Sequence, residues 1–307
     1  MTILFMHDDC LEHVNPPGHP ERVERLHAVR SALKGLDLDR REAPLADDAE
    51  ILRCHPASYV ERVASAIPDD GWTQLDADTA VSPGSLDAAR RGVGGCAAAV
   101  DAVLAAESRT AFVACRPPGH HAERETAMGF CLFGNVSIAA KRALDRHGLD
   151  RVAIVDFDVH HGNGTQDLMW DEPRVLFAST HQMPLYPGTG ATHETGAHGQ
   201  ILNLPLAPGT GSGQMRRVYE DAVFPALEEH EPELLLVSAG FDAHARDPLA
   251  NLEWRTEDFG WVTSRLVEIA SRHAGGRVVS TLEGGYDLTA LGESVAAHLA
   301  ALMEAER

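Results

Sequence analysis

Short apolar, β-branched runs recur along this chain, and most are followed by a longer stretch with helical periodicity. Strands are predicted at residues 1–9, 111–114, 152–155, 174–178, 234–238 and 277–282. Helices are predicted at residues 83–107, 135–147, 213–230 and 256–273. The first of these is long and alanine-rich. The last opens with Thr256, Glu257 and Asp258, whose oxygens suit the free N–H groups and positive end of a helix. Strands this apolar, alternating with helices, belong to a mainly parallel sheet covered on both faces. No low-complexity linker, long charge run or internal repeat interrupts the pattern, so residues 1–307 are expected to form a single α/β domain.

In such sheets ligands gather beyond the carboxyl ends of the strands. Strand 152–155 runs into Asp156, Asp158 and His160 before Gly162 and Gly164 break it. Alternate side chains of a strand share a face, so Asp156, Asp158 and His160 are expected to point the same way. Folding alone gives no reason for two acids there, although a polar strand end leading into a loop is the plainer alternative for this segment by itself. Three more strand ends carry chemistry: Arg116 to His121 after 111–114, Gly240 to His244 after 234–238, and Glu283 to Tyr286 after 277–282. Convergence of four such ends is harder to dismiss than any one of them.

Asp158, His160 and Asp242 together offer two carboxylates and one imidazole. Catalytic zinc takes three protein ligands and keeps one position open, and ferrous iron would accept the same set. A turn residue after Gly240 is the plainer alternative for Asp242 taken singly. His120 and His121 sit on a loop shaped by Pro117, Pro118 and Gly119 and suit acid–base work near neutral pH. Tyr286 follows two glycines that let the backbone turn and aim the phenol into a cleft, where its O–H could serve a developing oxyanion. A buried core tyrosine is the alternative.

Composition narrows the picture. The apolar fraction of 44% is ordinary for a globular chain, and no run of about 18 apolar residues suggests a membrane span. The N-terminal apolar run is too short for a signal peptide and lacks basic residues, so a cytoplasmic protein is expected. The five cysteines form no C-x-x-C pair, and their odd number argues against a disulfide framework or a cysteine zinc site. Any metal is left to His and carboxylates. A formal net charge of -20 argues against nucleic-acid binding; it suits a cationic substrate, or simply solubility.

With these residues in view, the chain resembles the arginase–deacetylase superfamily and, within it, the class II histone deacetylase-like branch. The resemblance rests on residues 18–22 (GHPER), 116–122 (RPPGHHA), 128–131 (MGFC), 156–166 (DFDVHHGNGTQ), 238–249 (SAGFDAHARDPL) and 283–286 (EGGY). It implies an arginase-like three-layer fold with a central eight-stranded, mainly parallel sheet flanked by helices. It assigns zinc to Asp158, His160 and Asp242, and hydrolysis of an acetamide by a metal-activated water. His121 would be the general base and then protonate the leaving amine. His120, hydrogen-bonded to Asp156, would give electrostatic support. Tyr286 would stabilise the oxyanion; relatives with His there are poor deacetylases. Asn163 stands where class I relatives have Asp as partner of the base. Its carboxamide can orient the imidazole without adding charge, so it should raise the basicity of His121 less than Asp would. The resemblance also implies a structural potassium ion at Asp156, Asp158, His160, Ser179 and Thr180, several of them through backbone carbonyls.

For the substrate, Gly129, Phe130 and Tyr186 would line a narrow apolar tunnel suited to the lysine stem. Asp78 falls where relatives accept substrate backbone N–H groups, or is a plain loop acid. Leu249 replaces the Glu with which a polyamine-selective relative pairs a distant ammonium. The acetylated lysine side chain of a protein or peptide is therefore favoured over an acetylated small amine, which the same machinery would also hydrolyse. Longer acyl groups and a homo-oligomer stay open. No nucleic-acid or membrane partner is expected. The intact site disfavours a catalytically silent acetyl-lysine binder, and the shortage of further ligands disfavours a binuclear arginase.

Overall fold

The structure is a computed structural model and describes residues 1–306. Its strands are β1 (Ile3–Met6), β2 (Asp39–Glu42), β3 (Thr73–Gln74), β4 (Ala80–Val81), β5 (Thr110–Val113), β6 (Val152–Asp156), β7 (Val175–Gln182), β8 (Ile201–Leu206), β9 (Leu234–Ala239) and β10 (Val278–Leu282). β3 and β4 form a small antiparallel hairpin. The other eight make one sheet in the order β2-β1-β5-β10-β9-β6-β7-β8, and every neighbouring pair is parallel. β5, β6, β9 and β10 are buried along their whole length, as continuous apolar strands of a covered parallel sheet must be.

The helices are α1 (Glu24–Ala32), α2 (Asp48–Ile51), α3 (Ala57–Ser65), α4 (Ser85–Leu104), α5 (Asn135–Asp145), α6 (Asn163–Met169), α7 (Ser212–Val218), α8 (Phe224–His230), α9 (Thr256–His273) and α10 (Leu288–Glu304). They flank the sheet in two groups: α4 packs with α5, and α10 packs with α1 and α9. α9 starts where the sequence places it, and the Asp258 carboxylate accepts the Arg255 N–H at 3.0 Å. The stretch expected as one helix at 213–230 is α7 and α8 joined by a π-helical turn, Tyr219–Val223. Pro225, at the start of α8, has no N–H to give the preceding turn, which accounts for the widened register.

β5, β10, β9 and β6 are the strands whose ends carry the polar motifs, and they are consecutive neighbours at the centre of the sheet. In a parallel sheet their carboxyl ends share one edge, so the four loops meet there. No helix among the described residues is long and apolar enough to cross a membrane.

Candidate active site

β6 ends at Asp156, and the chain leaves the ladder there. The expected strand alternation therefore does not carry Asp158 and His160. Instead each carboxylate folds back on the backbone two residues ahead, as Asp side chains do in turns. Asp156 Oδ1 accepts the Asp158 N–H at 3.1 Å, and Asp158 Oδ1 accepts the His160 N–H at 2.9 Å. Asp242, beyond β9, is fixed by the Val159 N–H to its Oδ1 at 2.9 Å. From the loop after β10, the Gly284 N–H donates to Asp158 Oδ2 at 2.8 Å. A Cβ at Gly284 would lie 2.1 Å from Asp242 Oδ2, so no larger residue fits beside the acids.

The side chains of Asp158, His160 and Asp242 thus present ligand atoms within 4.8 Å of one another, all buried. His160 Nδ1 is 3.1 Å from Asp158 Oδ1 and 3.2 Å from Asp242 Oδ2. Burial opposes charge on this imidazole, yet the two carboxylates push it up to about 10. Asp242 is raised by burial and by the neighbouring Asp158 charge. A buried site that draws a proton onto imidazole this strongly is short of positive charge. The donor set of two oxygens and one nitrogen fits a divalent zinc or ferrous ion.

The histidine pair follows β5. His120 Nδ1 is 3.0 Å from Asp156 Oδ2, and its Nε2 is 3.8 Å from Asp158 Oδ2. Burial works against its charge, but the Asp158 and Asp156 carboxylates outweigh it and raise His120 well above the ordinary imidazole range. His121 behaves oppositely. Burial, then the neighbouring His120 and His160, hold it well below that range. Its Nδ1 lies 2.7 Å from Asn163 Oδ1, at the start of α6. Two adjacent imidazoles are thereby driven apart, one towards cation and one towards neutral base.

The Glu283 carboxylate, fully buried at the end of β10, receives the N–H of Gly119 at 2.7 Å and of His120 at 3.1 Å through one oxygen. Burial pushes its carboxyl up to about 7. Tyr286 stands three residues further on, after Gly285 at φ +118°, a conformation L side chains rarely adopt. Its backbone N–H is held by Asp247 Oδ2 at 2.7 Å. The Arg25 guanidinium carbon lies 4.9 Å from the centre of the Tyr286 ring, and Arg25 Nε donates to the Gly285 carbonyl at 2.7 Å.

Asp78, His121, Gly129, Phe130, His160, Leu185, Tyr186, Leu249 and Tyr286 line one cavity of about 230 Å³. All the residues expected around the substrate are among them. Asp78 is partly committed: its Oδ1 accepts the Gly129 N–H at 3.0 Å and the Thr79 hydroxyl at 2.8 Å. Ser179 pairs with Asp156 across β6 and β7, which brings Thr180 beside the same loop. Leu185, Glu283, Asp247 and Arg25 had no assigned role from sequence. Glu283 and Asp247 lie inside motifs already singled out, and Arg25 lies four residues after Glu21, the spacing of a helical ion pair.

A profile of the histone deacetylase domain matches residues 19–302. The chain is 42% identical to the histone deacetylase-like amidohydrolase of Pseudomonas aeruginosa, over 93% of this chain and 81% of that one. It is 38% identical to a probable deacetylase of Archaeoglobus fulgidus, over 94% and 82% respectively. Among solved structures, the HDA15 HD domain matches with a TM-score of 0.93 and 31% identity, over 99% of this chain and 89% of the other. The extent of these matches and the agreement in fold make this chain a member of the histone deacetylase family, whose activity is that of a deacetylase or amidohydrolase.

Proposed function

We propose that residues 1–307 act as one catalytic unit, a zinc-dependent hydrolase of the acetamide of N-ε-acetyl-lysine. The observation that carries this reading is the meeting of His160, His121 and Tyr286 on one narrow, mainly apolar cavity, with Asp158 and Asp242 against His160. Zinc held by Asp158, His160 and Asp242, or ferrous iron in its place, would polarise the carbonyl and make water a better nucleophile. The protein's own groups supply the rest. Asn163 Oδ1 holds the proton on His121 Nδ1, which leaves His121 Nε2 free to take a proton from water and return it to the leaving amine. His120, charged between Asp156 and Asp158, supports the positive field around the reacting carbonyl. The Tyr286 phenol donates to the carbonyl oxygen as it gains charge. Asp156, Asp158, His160, Ser179 and Thr180 would hold potassium behind this site.

Gly129, Phe130, Tyr186 and Leu249 give the cavity apolar walls for a methylene stem, and the Asp78 carboxylate lines it as an acceptor for a substrate N–H. Leu249 offers no carboxylate to a distal ammonium, which favours lysine over polyamine. The test is kcat/KM for an acetyl-lysine peptide and for N-acetylputrescine with the same zinc-loaded enzyme. A higher value for the peptide is expected. A higher value for the polyamine overturns the lysine preference, and turnover of neither overturns the deacetylase reading.

A further inference from the structure

The role of Asn163 raises a question that its own chemistry does not answer. A carboxamide presents an acceptor on one side and two donors on the other, and the two ends are nearly the same size. If Asn163 turns by 180°, its NH2 faces His121 Nδ1. That nitrogen must then carry the lone pair, and the ring proton moves to Nε2, the atom that faces the cavity. A general base is lost with almost no change in the shape of either side chain.

The surroundings of the amide nitrogen decide the matter. Asn163 Nδ2 lies 2.8 Å from Glu123 Oε1, 3.3 Å from Met128 Sδ and 3.5 Å from the His121 carbonyl oxygen. All three are acceptors. The thioether is a weak one and the carbonyl is at the limit of hydrogen-bonding distance. Only the Glu123 carboxylate makes a short bond with charge behind it, and charge-assisted bonds are about twice as strong as neutral ones. Glu123 itself is steadied by its backbone. Its N–H donates to the Thr126 carbonyl at 3.0 Å, and the next N–H, of Arg124, donates to Asp167 Oδ2 at 2.8 Å.

We propose that Glu123 is a positioning residue for catalysis: by accepting the Asn163 Nδ2–H it fixes the carboxamide, and through it the tautomer of His121 that leaves Nε2 unprotonated. The chain runs from the His121 Nδ1–H to Asn163 Oδ1 at 2.7 Å, and from Asn163 Nδ2–H to Glu123 Oε1 at 2.8 Å. A carboxylate that is not next to the imidazole thereby orients it at one remove. This rests on the assignment of His121 as the base, made above.

The test uses the full-length zinc-loaded enzyme, with kcat and KM for an acetyl-lysine peptide and the ring 15N shifts of His121. Glu123→Ala should lower kcat about tenfold or more, leave KM within about twofold, and move ring proton density from Nδ1 to Nε2. Glu123→Gln should keep kcat within about threefold and the original tautomer, because its carbonyl oxygen still accepts from Asn163. A His121 ring unchanged in Glu123→Ala overturns the proposal, as does an equal loss of kcat in the Ala and Gln variants. If the Ala variant does not fold, a charge swap takes its place. Asn163→Asp alone sets two carboxylates against each other, and adding Glu123→Gln supplies a donor and should restore kcat. A double variant no better than Asn163→Asp also overturns the proposal. His121→Ala with kcat retained would sink the base assignment instead, while the 15N shifts would still report whether Glu123 sets the tautomer.

Discussion

Glu21 is the anion at the centre of a buried cluster beneath the Tyr286 loop, and its replacement by Gln is the sharpest test of how this site is supported. Arg116 donates to both carboxylate oxygens, Arg25 Nη1 to Oε1 at 3.0 Å, and Asn15 Nδ2 to Oε2 at 2.9 Å. Glu21, Arg25 and Arg116 are all completely buried. Burial alone would push the Glu21 carboxyl up, but the Arg116 guanidinium, helped by Arg25, holds it well below the usual range. Glu21→Gln keeps the shape, removes the charge and turns one acceptor into a donor facing donors. Breaking a buried pair from one side costs about 3–5 kcal/mol. At roughly 2.1 cal/mol/K of unfolding entropy per residue, 307 residues give about 0.64 kcal/mol/K, or about 1.5 °C per kcal/mol. The thermal midpoint, followed by circular dichroism on the metal-loaded enzyme, should therefore fall by about 5–8 °C. Asp8→Asn is the control. It breaks the ion pair with Arg30, in which the Asp8 side chain is 82% exposed, and should move the midpoint by no more than about 1.5 °C. The reasoning is refuted if the two variants melt together. Because Arg25 Nε holds the Gly285 carbonyl, the folded Glu21→Gln enzyme should also lose kcat.

Three further outcomes are expected. His298 is buried between Thr263 and Ser280, and burial lowers its pKa to about 3, so the unfolded chain takes up this proton first and the stability it supports is full above about pH 6.5 and lost as pH falls below it. The gap in urea stability between the wild type and His298→Gln should narrow by about 2 kcal/mol from pH 7.5 to pH 5; a constant gap would contradict this. Adding zinc to chelator-stripped enzyme should raise the thermal midpoint by about 6 °C at a thousandfold excess over Kd, and Asp242→Ala should abolish the shift; an equal rise in the variant would remove Asp242 from the ligand set. Tyr286→Phe should cut kcat by about 10²–10³ with zinc content unchanged, and wild-type turnover in that variant would take the phenol out of the mechanism.

What the sequence made legible follows from how local each signal is. β5, β6, β9 and β10 announce themselves because a strand buried on both faces must be continuously apolar. The edge strands do not. β2 is Asp-Arg-Arg-Glu, charged as an exposed edge tolerates, and β8 contains Asn203 and Pro205, which a central strand would exclude. α10 carried a readable signal in Asp287, whose side chain caps Ala290 at 2.7 Å. The strand periodicity that groups Asp158 with His160 in the sequence stops at Asp156; backbone-bound carboxylates bring the two side chains together instead. The contacts that tie Glu123 and Arg25 to the site were out of reach for another reason. Glu123 meets Asn163 across 40 positions and Arg25 meets Gly285 across 260, and no spacing rule spans such distances.

Glu283 joins two parts of the site that are far apart in the chain. Its carboxylate grips the N–H groups of Gly119 and His120, while its own backbone leads within three residues to Tyr286. The loop that carries His120 and His121 and the loop that carries Tyr286 are therefore spaced by one ruler, the length of a single side chain. Glu283→Asp would shorten that ruler by one methylene and draw the histidine loop towards the tyrosine loop. A displacement of either loop is passed to the other through that one carboxylate.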